Sequence, residues 1–335
     1  MKRNMKAWIQ AQIENPVKKA LPIISYPSIQ KMGITVKELI QSSDLQAKAM
    51  KMVADLTDSA ASVSLMDLSV EAEAFGAEIK VTDDEVPNVI GCIVKSEEDA
   101  DALAIPKIGA GRTSIYIEAM EKAVNMITDR PVFAGVIGPF SLAGRLMDVT
   151  EVMYLCFDEP EMVHTVLEKV TEFLIQYIKE YKKVGANGVV IAEPLAGLLG
   201  PDQAEEFSAG YMRKIVEAVQ DDEFSIVYHN CGNTVVKTAD SIFSNGCMAY
   251  HFGNSIQLKD MLEKAPEDRL VMGNVDPAGQ FLNGTVDSIY STTTELMKEC
   301  CEYKNFVISS GCDVPPLSSW DNIESFFKAV SDFYQ

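Results

Sequence analysis

A short apolar run, a polar or Gly/Pro loop and then a long segment of helical period recur along this chain, and few architectures accept that pattern. The runs are Leu21–Tyr26, Ala61–Leu68, Val132–Ile137, Gly188–Ala192, Ser225–Tyr228, Met248–Phe252, Leu270–Met272 and Phe306–Ile308. Each is short, continuous and partly β-branched, as strands buried on both faces of a parallel sheet require. Between them the clearest helix is Glu161–Val184, where Val163, Val166, Leu167, Val170, Phe173, Leu174, Tyr177, Ile178 and Tyr181 form one stripe. Gly185 follows as its stop. Helical period also marks Lys51–Ala60, Arg112–Ile127, Gln203–Val219, Val235–Phe243, Ile256–Leu262, Ser288–Cys301 and Asp321–Phe333.

Eight strands alternating with helices in 335 residues predict an α/β fold, a (β/α)8 barrel of the TIM type. A doubly wound open sheet is the alternative, since spacing does not show closure. No linker, low-complexity stretch or composition break divides the sequence, so it reads as one domain over 1–335, with residues 1–20 a short N-terminal helical extension. Those first residues carry charges but no apolar stretch or small-residue cleavage site, unlike a signal peptide.

Twenty-nine basic residues against 49 acidic ones leave a formal net charge of −20. Nucleic acid and anionic membrane surfaces both demand a cationic face, so neither is expected as a partner. No apolar run approaches the roughly 20 residues of a membrane span. The chain has 7 cysteines, an odd number with no CxxC pair, which forms no disulfide framework and suits a reducing, cytoplasmic compartment. Cys92, Cys156, Cys247, Cys300 and Cys301 read as small hydrophobes in apolar or helical surroundings, whereas Cys231 and Cys312 stand in polar, Gly-containing turns. No GxGxxG or GxxxxGK[ST] follows any run, so nucleotide binding has no local support.

In either architecture reactive groups collect at the carboxyl ends of the strands. Ser225–Tyr228 is followed by His229-Asn230-Cys231-Gly232, and Phe306–Ile308 by Ser309-Ser310-Gly311-Cys312-Asp313. Two residues apart on extended chain, His229 and Cys231 share a face. Cys312 adds a third soft ligand from another strand end, and three N/S ligands leave one position open, the pattern of a catalytic zinc. Gly232 and Gly311 are expected to let the backbone turn sharply there. The spacing also admits a blander reading, a buried His near a buried Cys.

The motifs HNCG at 229–232, GNVDP at 273–277, SGCDVPP at 310–316, MDLSVEAEAFG at 66–76 and IGPFSLAG at 137–144 together resemble the uroporphyrinogen decarboxylase superfamily. Within it they are similar to the branch of corrinoid-dependent methyltransferases, and the likeness runs from about Pro22 to the C-terminus. GNVDP marks the superfamily; HxCG with a late GCD belongs to that branch, where these His and Cys residues bind zinc. The resemblance implies a (β/α)8 barrel with zinc on His229, Cys231 and Cys312. It implies methyl transfer between methylcobalamin, carried by a separate corrinoid protein docking at the barrel mouth, and a small thiol. The opposite sense, with the metal as Lewis acid activating a methyl donor for attack by Co(I), is equally reasonable physically. The alternatives are a decarboxylase-type lyase and a non-catalytic zinc- or corrinoid-binding protein.

One departure separates the chain from the decarboxylases, which hold a polycarboxylate with arginines in the loop after the first strand. Here that loop reads Tyr26-Pro27-Ser28-Ile29-Gln30-Lys31, without arginine. Other strand ends supply secondary candidates. Glu193 is read as a catalytic carboxylate, either a displaceable fourth ligand or a support to the site, with a capping role as the structural alternative. Asp276 either orients His229 or binds backbone N–H groups. Phe140, Ser141, Asp67 and His251 are candidate substrate contacts, Asp67 lying in an acidic cluster with Glu71 and Glu73 that also fits a structural feature. His251 fits a satisfied polar core residue as well.

Overall fold

A computed structural model describes residues 2–335. Its framework is a seven-stranded parallel sheet of β1 Ser62–Val63, β2 Val132–Ile137, β3 Gly188–Ala192, β4 Ser225–Asn230, β5 Ala249–Phe252, β6 Leu270–Val275 and β7 Phe306–Ser310. The strands lie in sequence order. Every neighbouring pair is parallel, with helical connections between.

The sheet curls until one segment reaches both of its edges. Leu21 N–H donates to the Ile308 carbonyl on β7 at 3.0 Å, while Ala60 N–H donates to Ala20 at 2.8 Å and the Ser25 hydroxyl to Val63 on β1 at 2.5 Å. This is the run Leu21–Tyr26, which the pattern predicts as a strand and the structure does not form as one. Pro22 has no N–H to donate, and Ile23 N–H turns to the Ser310 hydroxyl at 3.1 Å instead of a carbonyl. A ladder missing two successive donors is not regular. The Ala61–Leu68 run is likewise shorter than expected, since only Ser62 and Val63 pair.

Two apolar layers result. Leu21, Ile23, Val63, Phe133, Val190, Val227, Ala249, Leu270, Met272 and Val307 meet inside the curl. Alternate residues of the same strands face the helices in the larger core. The N-terminal helix α1, Met5–Glu14, is capped by Asn4, whose side chain accepts from Ala7 N–H at 2.7 Å. Its Met5, Ile9 and Ile13 are buried at i, i+4 spacing and cover the inner layer at the amino ends of the strands.

Among the helices, Pro160–Lys183 begins with proline in its first turn and buries the stripe read from the sequence. The expected Gln203–Val219 helix is three pieces, Pro201–Ala204, a wider turn Glu205–Ala209 and Gly210–Val219. Two further helices follow β2: Pro139–Met147 and Val149–Asp158. No helix of the described residues is long and apolar enough to cross a membrane.

Candidate metal centre

β4 runs two residues further than the apolar pattern suggests, to Asn230, and so carries His229 on the strand itself. His229 faces inward with Val227 beneath it and stands level with Ala192 on β3 and His251 on β5. Cys231 and Cys312 sit one and two residues past the ends of β4 and β7. The ligand atoms of His229, Cys231 and Cys312 all lie within 4.8 Å of one another. The sequence places these three on separate strand ends, and the fold brings them together.

This donor set fits a tetrahedral ion. Zinc–sulfur and zinc–nitrogen bonds of about 2.3 and 2.1 Å set an N···S edge of roughly 3.6 Å. His229 Nε2 stands 3.4 Å from Cys312 Sγ. Among the described residues no other His, Cys, Asp or Glu group meets this criterion. The two thiols interact strongly: a hydrogen bond from Cys312, aided by His229, pushes the Cys231 thiol down. The same Cys231 contact and burial push Cys312 up. The two shifts are opposite in sign and belong to the pair, and both thiols would have to be deprotonated to hold a metal ion.

Glycines make room for the ligands. A Cβ on Gly253 would lie 2.4 Å from Cys231 Cβ, and one on Gly232 would lie 2.4 Å from Gly197 Cα. Neither Gly232 nor Gly311 has a positive φ. The chain does bend at Gly311 and Cys312, and the glycine there also permits a close approach to Asn254, where a Cβ would lie 2.9 Å from its N. Asp313 fixes the Cys312 loop from the far side, accepting Met66 N–H at 3.1 Å, and burial raises its carboxyl well above the usual range.

The remaining candidates lie around this centre without entering it. Glu193 is fully buried, and its oxygens accept from Phe140 N–H at 2.7 Å, Ser141 N–H at 3.2 Å and the Ser141 hydroxyl at 3.1 Å. It caps helix Pro139–Met147 across the sheet, and Gly138 is glycine because a Cβ there would lie 2.2 Å from Glu193 Cγ. Burial drives its carboxyl up to about 8. The Ser141 hydroxyl also receives Leu195 N–H at 3.1 Å, and the Phe140 ring lies in the helix-facing core. Asp276 binds Ala278 and Gly279 N–H at 2.9 and 2.8 Å, the second of its two expected roles.

Asp67 faces Arg112. Its Oδ2 accepts from Arg112 at 2.5 Å and Tyr116 at 2.6 Å, its Oδ1 from the Ser69 hydroxyl at 2.5 Å, and Arg112 also reaches Glu73 at 2.7 Å. Both carboxylate oxygens of Asp67 are thus engaged within the protein, the arrangement of the structural alternative. His251 is also not at the surface of the mouth. It is 1% exposed, its Nδ1 2.7 Å from His229 Nδ1 and its Nε2 2.8 Å from the Ser309 hydroxyl. Ser309 and Arg112 are not among the sequence candidates. The signal for Ser309 was available, since a polar residue alternates there with inward Val307. Arg112 lies 45 residues from Asp67, and only the fold joins them.

Comparison with known proteins now becomes decisive, because the profile of one family, uroporphyrinogen decarboxylase (URO-D), matches residues 23–333. The chain belongs to the URO-D family. Among curated relatives of this URO-D chain, methylcobamide:CoM methyltransferase MtbA of Methanosarcina acetivorans is 27% identical over 80% of this chain and 78% of its own. Uroporphyrinogen decarboxylase of Francisella philomiragia is 22% identical over 82% and 80%. Of solved structures, a methyltransferase from Methanosarcina mazei superposes with a TM-score of 0.85 at 24% identity over 99% of both chains. A B12-independent methionine synthase from Shewanella reaches 0.61 at 13% over 95% of both. These likenesses carry the fold.

Proposed function

We propose that this URO-D member is a zinc-dependent methyltransferase that moves a methyl group between a corrinoid carried on a partner protein and a small thiol. The observation that carries this reading is the convergence of His229, Cys231 and Cys312 within 4.8 Å at the carboxyl ends of β4 and β7. The methyltransferase names of several relatives support it. On this reading segment 20–25, hydrogen-bonded to both sheet edges, takes the place of the eighth stave of a single (β/α)8 barrel. Helix α1 covers the far end.

In this reading a zinc ion held by one imidazole and two thiolates supplies an open ligand position and Lewis acidity, which acidifies a thiol or polarises a methyl donor. The residues of the chain do the rest. Cys231 and Cys312 would bind as thiolates, and His229 would offer a neutral ring nitrogen. Asp313 ties the Cys312 loop to Met66, and Glu193 fixes the helix that starts beside the mouth. A corrinoid is too large for so recessed a site and arrives on its own protein at the carboxyl-end face. The net charge of −20 places nucleic acid and anionic membranes outside its partners. All 7 cysteines are free thiols, which suits a cytoplasmic setting.

The decarboxylase reading draws no support from the loop after Tyr26. Gln30 there donates to the carbonyls of Pro316 and Ser318 at 2.8 and 2.7 Å, and no arginine is present to grip a polycarboxylate. Purified protein should carry about one zinc per chain. It should demethylate methylcobalamin in the presence of a thiol, seen in the corrinoid absorbance. Protein that binds zinc without methyl transfer from either free or protein-bound methylcobalamin is a binding protein. Zinc-free protein that decarboxylates a tetrapyrrole sinks the proposal.

A further inference from the structure

We infer that Ser309 and His251 are positioning residues that fix the tautomer of His229, so that its Nε2 lone pair faces the two thiols. The inference rests on the metal-site reading above and adds what orients its imidazole.

Counting hydrogens along the buried chain gives it a direction. The Ser309 hydroxyl lies 2.8 Å from the Leu21 carbonyl and 2.8 Å from His251 Nε2. A carbonyl only accepts, so the single hydroxyl hydrogen goes to Leu21. Ser309 Oγ then offers His251 lone pairs alone, and His251 Nε2 must carry the hydrogen. His251 lines a small cavity with Ile23, Val63, Phe133, Val190 and Met272, and no charged residue borders it. A second proton there would be a buried charge without a counter-ion, so the ring is neutral and its Nδ1 is bare. His229 Nδ1 is 2.7 Å from that bare nitrogen and must supply the hydrogen between them. A neutral His229 protonated on Nδ1 keeps its lone pair on Nε2, the atom 3.4 Å from Cys312 Sγ. The chain ends on a main-chain carbonyl that cannot reverse, so its polarity is set by the fold.

The placement follows from strand register. His229 and His251 are direct partners on adjacent parallel strands. His251 on β5 and Ser309 on β7 come from alternate strands, as members of one inner layer do. Asp276, the sequence candidate for orienting His229, is occupied in its own turn. The relay also prevents His229 from holding hydrogen on Nε2, the tautomer that cannot take a metal there.

Zinc affinity, measured by competition with a chromophoric chelator, tests the relay in His251→Leu, His251→Gln and Ser309→Ala. His251→Leu should weaken binding by about 10- to 100-fold, the usual effect of losing a ligand's hydrogen-bond partner. His251→Gln should recover most of it, because an amide both accepts from His229 and donates to Ser309. Ser309→Ala should fall between. Long-range 15N NMR of the zinc-loaded protein, which has only 3 histidines, should show His251 as the Nε2–H tautomer. Wild-type affinity in folded His251→Leu, no rescue by glutamine, or an Nδ1–H His251 overturns the inference. Should the wild type take up no zinc, the metal reading fails, and the tautomers decide the relay alone: a His229 protonated on Nε2 refutes it.

Discussion

Cys312 Sγ lies 3.4 Å from His229 Nε2, although 83 residues separate them in the chain. The contact joins a buried strand residue, His229, to the loop after β7, where Cys312 is only half-buried. Cys312→Ala should therefore lose zinc while the fold persists, at a stability cost of about 1 kcal/mol or less. Metal analysis and a thermal melt check this together. Full zinc occupancy in the variant would remove Cys312 from the site.

Chelation of the wild-type protein should abolish methyl transfer, and added zinc should restore it. In the proposed reaction the open-position chemistry depends on the ion, whereas the inner and outer cores need no metal to bury their apolar area. A chelator-treated sample that keeps its rate with under a tenth of its zinc would separate the metal from the reaction.

Gly253→Ala places a methyl 2.4 Å from Cys231 Cβ and 2.5 Å from its Cα. Backbone cannot yield as a flexible side-chain tip does, so the Cys231 loop must move. We expect zinc affinity to fall by an amount comparable to losing a supporting residue, about 10- to 100-fold. Unchanged affinity in the chelator competition would show that Cys231 has slack the structure does not indicate.

Arg112→Ala leaves Asp67, whose side chain is fully buried, without its counter-ion. Breaking such a pair from one side costs about 3–5 kcal/mol. Urea unfolding should register a loss of that order. Asp67→Asn should cost less because the charge leaves with the change. A silent Arg112→Ala would mean that the network around Asp67 is not structural.

Glu71 is 1% exposed, and burial pushes its carboxyl up to about 8. A raised carboxyl pKa favours the protonated form in the fold. Between the unfolded value of about 4.3 and the folded one the native state holds the extra proton, so stability falls as pH rises. Glu193, also near 8, contributes with the same sign. Glu71→Gln should flatten the decline in urea midpoint from pH 5 to 8 and be the more stable chain at the upper end. A decline as steep as the wild type's would mean that Glu71 is ionised in the fold.

What the sequence determined by itself follows from periodicity and local chemistry. Apolar runs of three to eight residues between helical stripes point to a parallel sheet, because strands covered on both faces read that way. His229, Cys231 and Cys312 were legible as donors because strand ends are where an α/β fold exposes reactive groups. The tertiary structure decided everything that depends on which strands become neighbours. Pro22 and the turn of Ile23 N–H to Ser310 kept the first run from being a strand, an outcome that depends on a partner 287 residues away. Glu193, Asp67 and His251 each admitted a site role and a structural role in the sequence. Their hydrogen-bond partners were decided by packing: Phe140 and Ser141 for Glu193, Arg112 for Asp67, and His229 with Ser309 for His251. A buried polar side chain takes its function from the group that satisfies it, and that group is set by register and curvature.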